Sequence, residues 1–167
     1  MRRFAAGTSI VLTLLHAACG GSSRATHTPT PEVTPVHFGT STLRIEATQG
    51  ARDISVEIAA TGAQSERGLG YRDALATDAG MIFDLHTITR PTFWMKGMRF
   101  ALDMVWIGED KRVVSVTADI PPQPGAADAQ LRRYSPDAPV RYVLEVSAGA
   151  ASRLGLTPGS QVSFTLP

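Results

Sequence analysis

The sequence predicts a mainly β fold, a compact β-sandwich or barrel-like domain with two short helices. Three observations carry that expectation. Short apolar stretches with period-two alternation recur from about residue 38 to the end. Fifteen glycines and eleven prolines place turn signals between them. The long helical stripes that alternate with strands in parallel-sheet proteins are missing.

The elements follow in order. Residues 42–47 alternate, with Leu43, Ile45 and Ala47 on one face, and residues 53–60 alternate through Ile54, Val56 and Ile58. Residues 64–72 read as a short helix with a weak apolar stripe. Met81-Ile82-Phe83 and Phe93-Trp94-Met95 are short apolar runs expected as strands. Residues 101–107 and 113–116 form an expected hairpin around Gly108-Glu109-Asp110. Residues 121–139 are a Pro/Ala/Asp-rich loop without periodicity. The last two strands are expected at 141–146 and 161–166. A helix over 149–154 lies between them and ends at Gly155, which suits the C′ position.

With 167 residues, 43% of them hydrophobic and 19% charged, the chain has room for one domain with a substantial core. Its start reads as an address. Met1-Arg2-Arg3 is a basic head, residues 4–15 are an apolar stretch too short to span a bilayer, and Ala17-Ala18 are small. The segment Leu15-His16-Ala17-Ala18-Cys19 resembles a bacterial lipobox, with His16 standing where an aliphatic residue is usual. Cys19 is the only cysteine and falls where lipidation needs it. The expected organisation is a signal peptide over 1–18, a lipidated Cys19 with a Pro/Thr/Ser-rich tether over 19–37, and a single β-rich domain over 38–167. His27 and His37, in or beside the tether, read as solvated. The implied location is a membrane anchor facing the periplasm or the cell exterior.

Formal net charge is +1, and loss of Arg2 and Arg3 with the first 18 residues leaves 14 basic against 15 acidic side chains. That balance argues against a nucleic-acid partner and against binding an anionic membrane surface. Membrane contact is expected through the lipid alone. The expected domain has one histidine, His86, and no cysteine, so a Cys/His zinc site and a thiol nucleophile are excluded. A Ser-His-Asp site would have to use His86, and the Gly-x-Ser-x-Gly elbow is lacking. No Gly-x-Gly-x-x-Gly or P-loop signals a nucleotide. No catalytic residue, metal or cofactor is assigned.

The densest stretch is Glu66-Arg67-Gly68-Leu69-Gly70-Tyr71-Arg72, then Gly80-Met81-Ile82-Phe83, Phe93-Trp94-Met95-Lys96 and Leu102-Asp103, with Tyr142-Val143-Leu144-Glu145 near the end. This order resembles the domain of unknown function (DUF) family 192, over about residues 53–165. Phe93 to Lys96 is its most specific element. Gly70 departs from a usual Met, and Gly97-Met98 replaces Asn-Thr. The resemblance implies a compact β fold and brings no assigned reaction.

Alternation places Trp94, Lys96 and Met98 on one face of their strand, with Phe93 and Met95 on the other. Asp103 shares a face with Ala101, Val105 and Ile107, a carboxylate among apolar neighbours. Such a group needs a partner, and Arg67, Arg72 and Lys96 are the candidates. The plainer reading is a structural ion pair. The sharper one is a ligand site lined by Glu66, Arg67, Arg72, Trp94, Lys96 and Asp103. Glu145 is expected to face solvent. Three functions follow. The favoured one is a non-catalytic binding module for a polar small molecule or saccharide. The alternatives are a partner-binding structural lipoprotein and, weakest, a hydrolase drawing two carboxylates from Glu66, Asp84, Asp103 and Glu145.

Overall fold

The computed structural model describes residues 35–46 and 50–167. The signal peptide, Cys19, His27 and most of the tether lie outside the described residues. Residues 35–167 form one unit.

Alternation produces the first two strands close to where it is read, at β1 (Gly39–Glu46) and β2 (Arg52–Ala59). The chain then passes through α1 (Gly62–Arg67) into β3 (Ala79–Thr89). A two-residue strand, β4 (Phe93–Trp94), precedes the hairpin β5 (Leu102–Ile107) and β6 (Val113–Ile120). A 3-10 turn at Asp128–Gln130 and β7 (Arg133–Tyr134) occupy the stretch expected as featureless loop. The chain ends through β8 (Val140–Ser147), α2 (Ala150–Leu154) and β9 (Gln161–Ser163).

Seven strands form one sheet in the order β6-β5-β8-β3-β2-β1-β9, while β4 and β7 pair as a separate ribbon. The β2–β3 pair is parallel, with α1 in its connection, and the other pairs of the sheet are antiparallel. The sheet curls into a half-barrel. Its far edges meet where the Val113 amide donates to the Ser160 carbonyl at 2.9 Å and the Val162 amide to the Lys111 carbonyl at 3.0 Å.

Both faces of the curled sheet are covered, and period-two alternation sorts its side chains between two cores. Inside the curl, Leu43, Val56, Ile82, Val105, Leu144 and Val162 pack around Ala150, Ala151 and Leu154 of α2. On the outer face, Met81, Phe83, Met104, Trp106 and Val143 lie under Leu69, Met95, Met98 and Tyr134, which come from the connecting segments. The short helices are defined by their ends. Thr61 and Gln64 cap α1 with a reciprocal capping box, and Gly155 ends α2 in the left-handed region at φ 73°.

Asp103 sits on the inner face as alternation requires and is fully buried. Its partner is not an arginine or a lysine. Oδ1 accepts from the Asp119 amide and Oδ2 from the Ala151 amide, both at 2.9 Å. Asp119 has a positive φ of 53° in a kinked part of β6, and Ala151 lies in the first turn of α2. Both positions present amides that the ladder and the helix leave free, and a carboxylate satisfies them. The expected ion pair with Arg67, Arg72 or Lys96 is thus replaced by main-chain donors.

Candidate functional site

The outer core is not filled to the surface. A cavity of about 350 Å³ opens between α1 with the turn after it, the β4 segment, and the face of β3 and β8. Its apolar walls include Leu69, Phe83, Leu85, Phe93 and Met98. The Phe83 and Phe93 rings meet edge to face at 5.1 Å between centroids, which fixes one corner of the wall. Its polar lining is Ser65, Glu66, Arg67, Thr92, Lys96 and Glu145.

Glu145 is the unexpected member. It is 5% exposed, against the expectation of a solvent-facing strand residue. β8 is a central strand between β3 and β5, and a core packs against each of its faces. Leu144 and Val146 turn into the curl, which sends Val143 and Glu145 to the outer core. The pairs beside Glu145 are Met81 on β3 and Met104 on β5, neither of which can hold a charge. Among the described residues its carboxyl makes no hydrogen bond or ion pair, and burial pushes its pKa up to about 8. A signal existed in the sequence: Val140, Val143, Leu144 and Val146 are apolar on both parities, the pattern of a strand covered on both faces.

The mouth of the cavity carries exposed charge and aromatic surface. Lys96 Nζ donates to Asp128 Oδ2 at 2.6 Å, and this contact raises the ammonium's pKa. The Arg67 guanidinium lies 4.8 Å from the Tyr71 ring centroid, and Arg133 lies 4.1 Å from that of Trp94. Trp94 and Tyr71 are 42% and 52% exposed, a large apolar area to leave in water beside a cavity.

Of the six candidates read from the sequence, Glu66, Arg67, Trp94 and Lys96 come together on the cavity. Arg72 and Asp103 do not line it. Arg72 makes a two-point ion pair with Glu57 of β2, Nη1 to Oε1 at 2.5 Å and Nη2 to Oε2 at 2.8 Å, and the guanidinium lowers the Glu57 pKa. Asp103 lies across the sheet on the inner face. The expected alternation through Met98 fails at Gly97, whose φ of 69° turns the chain. Trp94 and Lys96 stay outside, while Met98 is 7% exposed and joins Met95 in the core.

Gly70 and Gly97, two departures from the resembled pattern, lie at one junction. The Tyr71 amide donates to the Gly97 carbonyl at 2.8 Å, locking the turn after α1 against the turn after β4. A Cβ on Gly97 would sit 2.8 Å from the Tyr71 ring, and one on Gly70 would sit 3.2 Å from the Lys96 carbonyl. Close approach at this junction requires glycine at Gly97, and it builds the outer wall of the cavity. Among the described residues no group of three or more His, Cys, Asp or Glu could hold a metal ion.

Comparison with known proteins agrees with the fold. No curated protein sequence matches the chain. Among solved structures, a proposed transcription regulator from Sinorhizobium meliloti 1021 is 32% identical, covers 78% of this chain and 97% of its own, and superposes with a TM-score of 0.70. A protein of unknown function from Novosphingobium aromaticivorans DSM 12444 is 30% identical, covers 79% of this chain and 89% of its own, with a TM-score of 0.67. The family of domains of unknown function DUF192, described as Uncharacterized ACR, matches residues 44–164, which include both edges of the half-barrel and every side chain of the cavity, and the chain belongs to that family.

Proposed function

We propose that this chain is an exported envelope lipoprotein whose DUF192 domain is a non-catalytic binding module for a small polar ligand. The observation that carries the reading is Glu145, a carboxyl nine-tenths buried, unpartnered, and placed at the floor of a cavity of about 350 Å³. No fully enclosed side-chain oxygen or nitrogen among the described residues lacks a hydrogen bond, so the Glu145 carboxyl oxygens open onto the cavity rather than being sealed in the core. A carboxyl that meets only the cavity takes its hydrogen-bond partner from whatever fills that cavity. Apolar walls with a few converging polar groups are the usual build of small-molecule sites. The description of the Sinorhizobium relative as a transcription regulator gains little from this chain. Its described helices, Gly62–Arg67 and Ala150–Leu154, are too short to serve as a recognition helix.

The test is a thermal-shift screen of the full chain against monosaccharides, cell-wall fragments, carboxylates and amines. A ligand of the native state raises the melting temperature. The expected hit loses its shift in Glu145→Gln and in Trp94→Ala. A screen in which every shift survives both substitutions refutes the site.

One observation favours a second reading, hydrolysis by a carboxylate pair. Glu66 and Glu145 line the same cavity, and a carboxyl with a pKa of about 8 is protonated near neutral pH, as a general acid must be. Release of reducing ends from glycan substrates, abolished by Glu145→Gln, separates this reading from binding alone.

A further inference from the structure

We infer that the cavity is a site for a small organic cation, a primary ammonium on an apolar stem, whose head pairs with Glu145 at the floor. This rests on the binding reading above and names the ligand class of that site.

Three features point to a cation. No positive side chain pairs with Glu145 among the described residues: Met81 and Met104 flank it across the sheet, and burial alone accounts for its shifted pKa. An ammonium supplies both the charge and the hydrogen-bond donors that this carboxyl lacks. The walls are suited to the same group. Phe83, Phe93, Trp94 and Met98 line the path to the floor, and aromatic and thioether surfaces accept an alkyl stem while attracting a cationic head. The mouth does not repel it. Lys96 is neutralised by Asp128 at 2.6 Å, the Arg67 guanidinium lies over the Tyr71 ring at 4.8 Å, and Glu66 adds a carboxylate to the same lining. At about 350 Å³ the cavity lies at the lower end of the usual range for small-molecule pockets, which fits a guest of amino-acid size rather than an oligosaccharide.

Binding then moves a proton. Glu145 holds its proton near pH 7 in the empty cavity, because burial pushes its pKa to about 8. The arriving ammonium favours the carboxylate, so the cation enters and one proton leaves to solvent with no net change of charge at the site. The other titratable groups facing the cavity are Glu66 and Arg67 from α1 and Lys96 beyond β4. Lys96 stays charged, since Asp128 raises its pKa further. Affinity for the cation rises with pH up to the Glu145 pKa, by at most about tenfold per unit.

The experiment is calorimetric titration of the full chain with three probes sharing one stem: n-pentylammonium, n-pentanol and pentanoate. Each is run near pH 7 in phosphate and in HEPES, whose protonation heats differ and neither of which is a primary ammonium. The expected result is preference for n-pentylammonium, with a heat that shifts between buffers by close to one released proton. Glu145→Gln is expected to lose tenfold or more of that affinity and to lose the buffer dependence. The ranking of probes on the unsubstituted chain decides the matter even where the variant does not fold. Equal or tighter binding of n-pentanol or pentanoate overturns the cation assignment and leaves the binding reading standing. Failure of all three at millimolar concentration also overturns the cation assignment, while the binding reading stands or falls with the thermal-shift screen.

Discussion

Burial raises the Glu145 carboxyl from its ordinary 4.5 to about 8, and this single residue sets a pH dependence for the fold. Between those values the folded chain keeps a proton that the unfolded chain gives up. The stabilisation is therefore complete below 4.5 and declines as pH rises toward 8, by about 1.4 kcal/mol per unit. Glu57 acts in the opposite sense and outside this window, because Arg72 lowers its pKa below 4.5 and its contribution is lost only on acidification. Urea midpoints followed by circular dichroism are expected to fall from pH 5 to pH 8 in the native sequence and to lose most of that slope in Glu145→Gln. A Gln variant with the same slope would contradict the burial account. Asp103 is the complementary case, a buried carboxylate that is fully partnered. Asp103→Asn keeps the shape but turns one acceptor into a donor facing an amide, which is expected to cost about 2–3 kcal/mol. Arg67→Gln and Lys96→Gln are expected to leave the urea midpoint close to that of the native sequence, since neither touches Asp103. Strong coupling between Asp103 and either cation in a double-mutant cycle would restore the ion pair that the amide contacts replace.

At the scale of elements, the cavity depends on how the turn after α1 is tied down. Arg72 fastens it to β2 through Glu57, and the Tyr71 amide fastens it to the Gly97 carbonyl. Arg72→Gln is expected to cost about 1–2 kcal/mol, because the pair is two-pointed and half-buried, and to weaken ligand binding without Arg72 touching the ligand. The double variant with Glu57→Gln is expected to cost less than the sum of the two single changes, as measured by chemical denaturation. Gly97→Ala tests the other fastening. Its Cβ meets the Tyr71 ring, and the expected result is a displaced Tyr71, read as altered near-UV dichroism, with weakened binding. What was legible in the sequence follows the same lines. Strands with a period-two pattern, such as β1 and β2, announce themselves, and the Glu66-Arg67 and Trp94-Lys96 stretches do converge. β7 is two residues long and carries no period, so its pairing with β4 is settled by tertiary contact alone. The polar half of β3 is hidden because a positive φ of 58° at His86 breaks the ladder after Asp84. Reading β8 as a strand with one wet face misplaces Glu145, because the curl covers both. Strand parity fixes a face within a strand but not which face the next segment covers, so it cannot separate Arg72 and Asp103 from the other candidates of the ligand site.

For the whole molecule, the described unit begins at Pro35, a few residues before the boundary read from strand patterns. The reason is local. Gln64 Nε2 donates to the His37 carbonyl at 2.7 Å, and Phe38 packs against the outer core. Cys19 therefore precedes the folded unit by about sixteen residues, which at full extension reach at most about 50–60 Å. That reach permits a lipid-anchored domain to stand clear of a bilayer and sample ligand from its aqueous side. The anchor proposal rests on one thiol, so one substitution decides it. In a host that lipidates exported proteins, the unsubstituted chain is expected in the membrane fraction and Cys19→Ser in the soluble exported fraction. The soluble variant is expected to keep the same melting temperature and ligand response, because both cores and the cavity are built from Phe38 onward. No described helix is long and apolar enough to cross a membrane. A native chain found soluble, with its cysteine open to thiol reagents, would remove the lipid anchor from this account. The cavity and its test would be untouched.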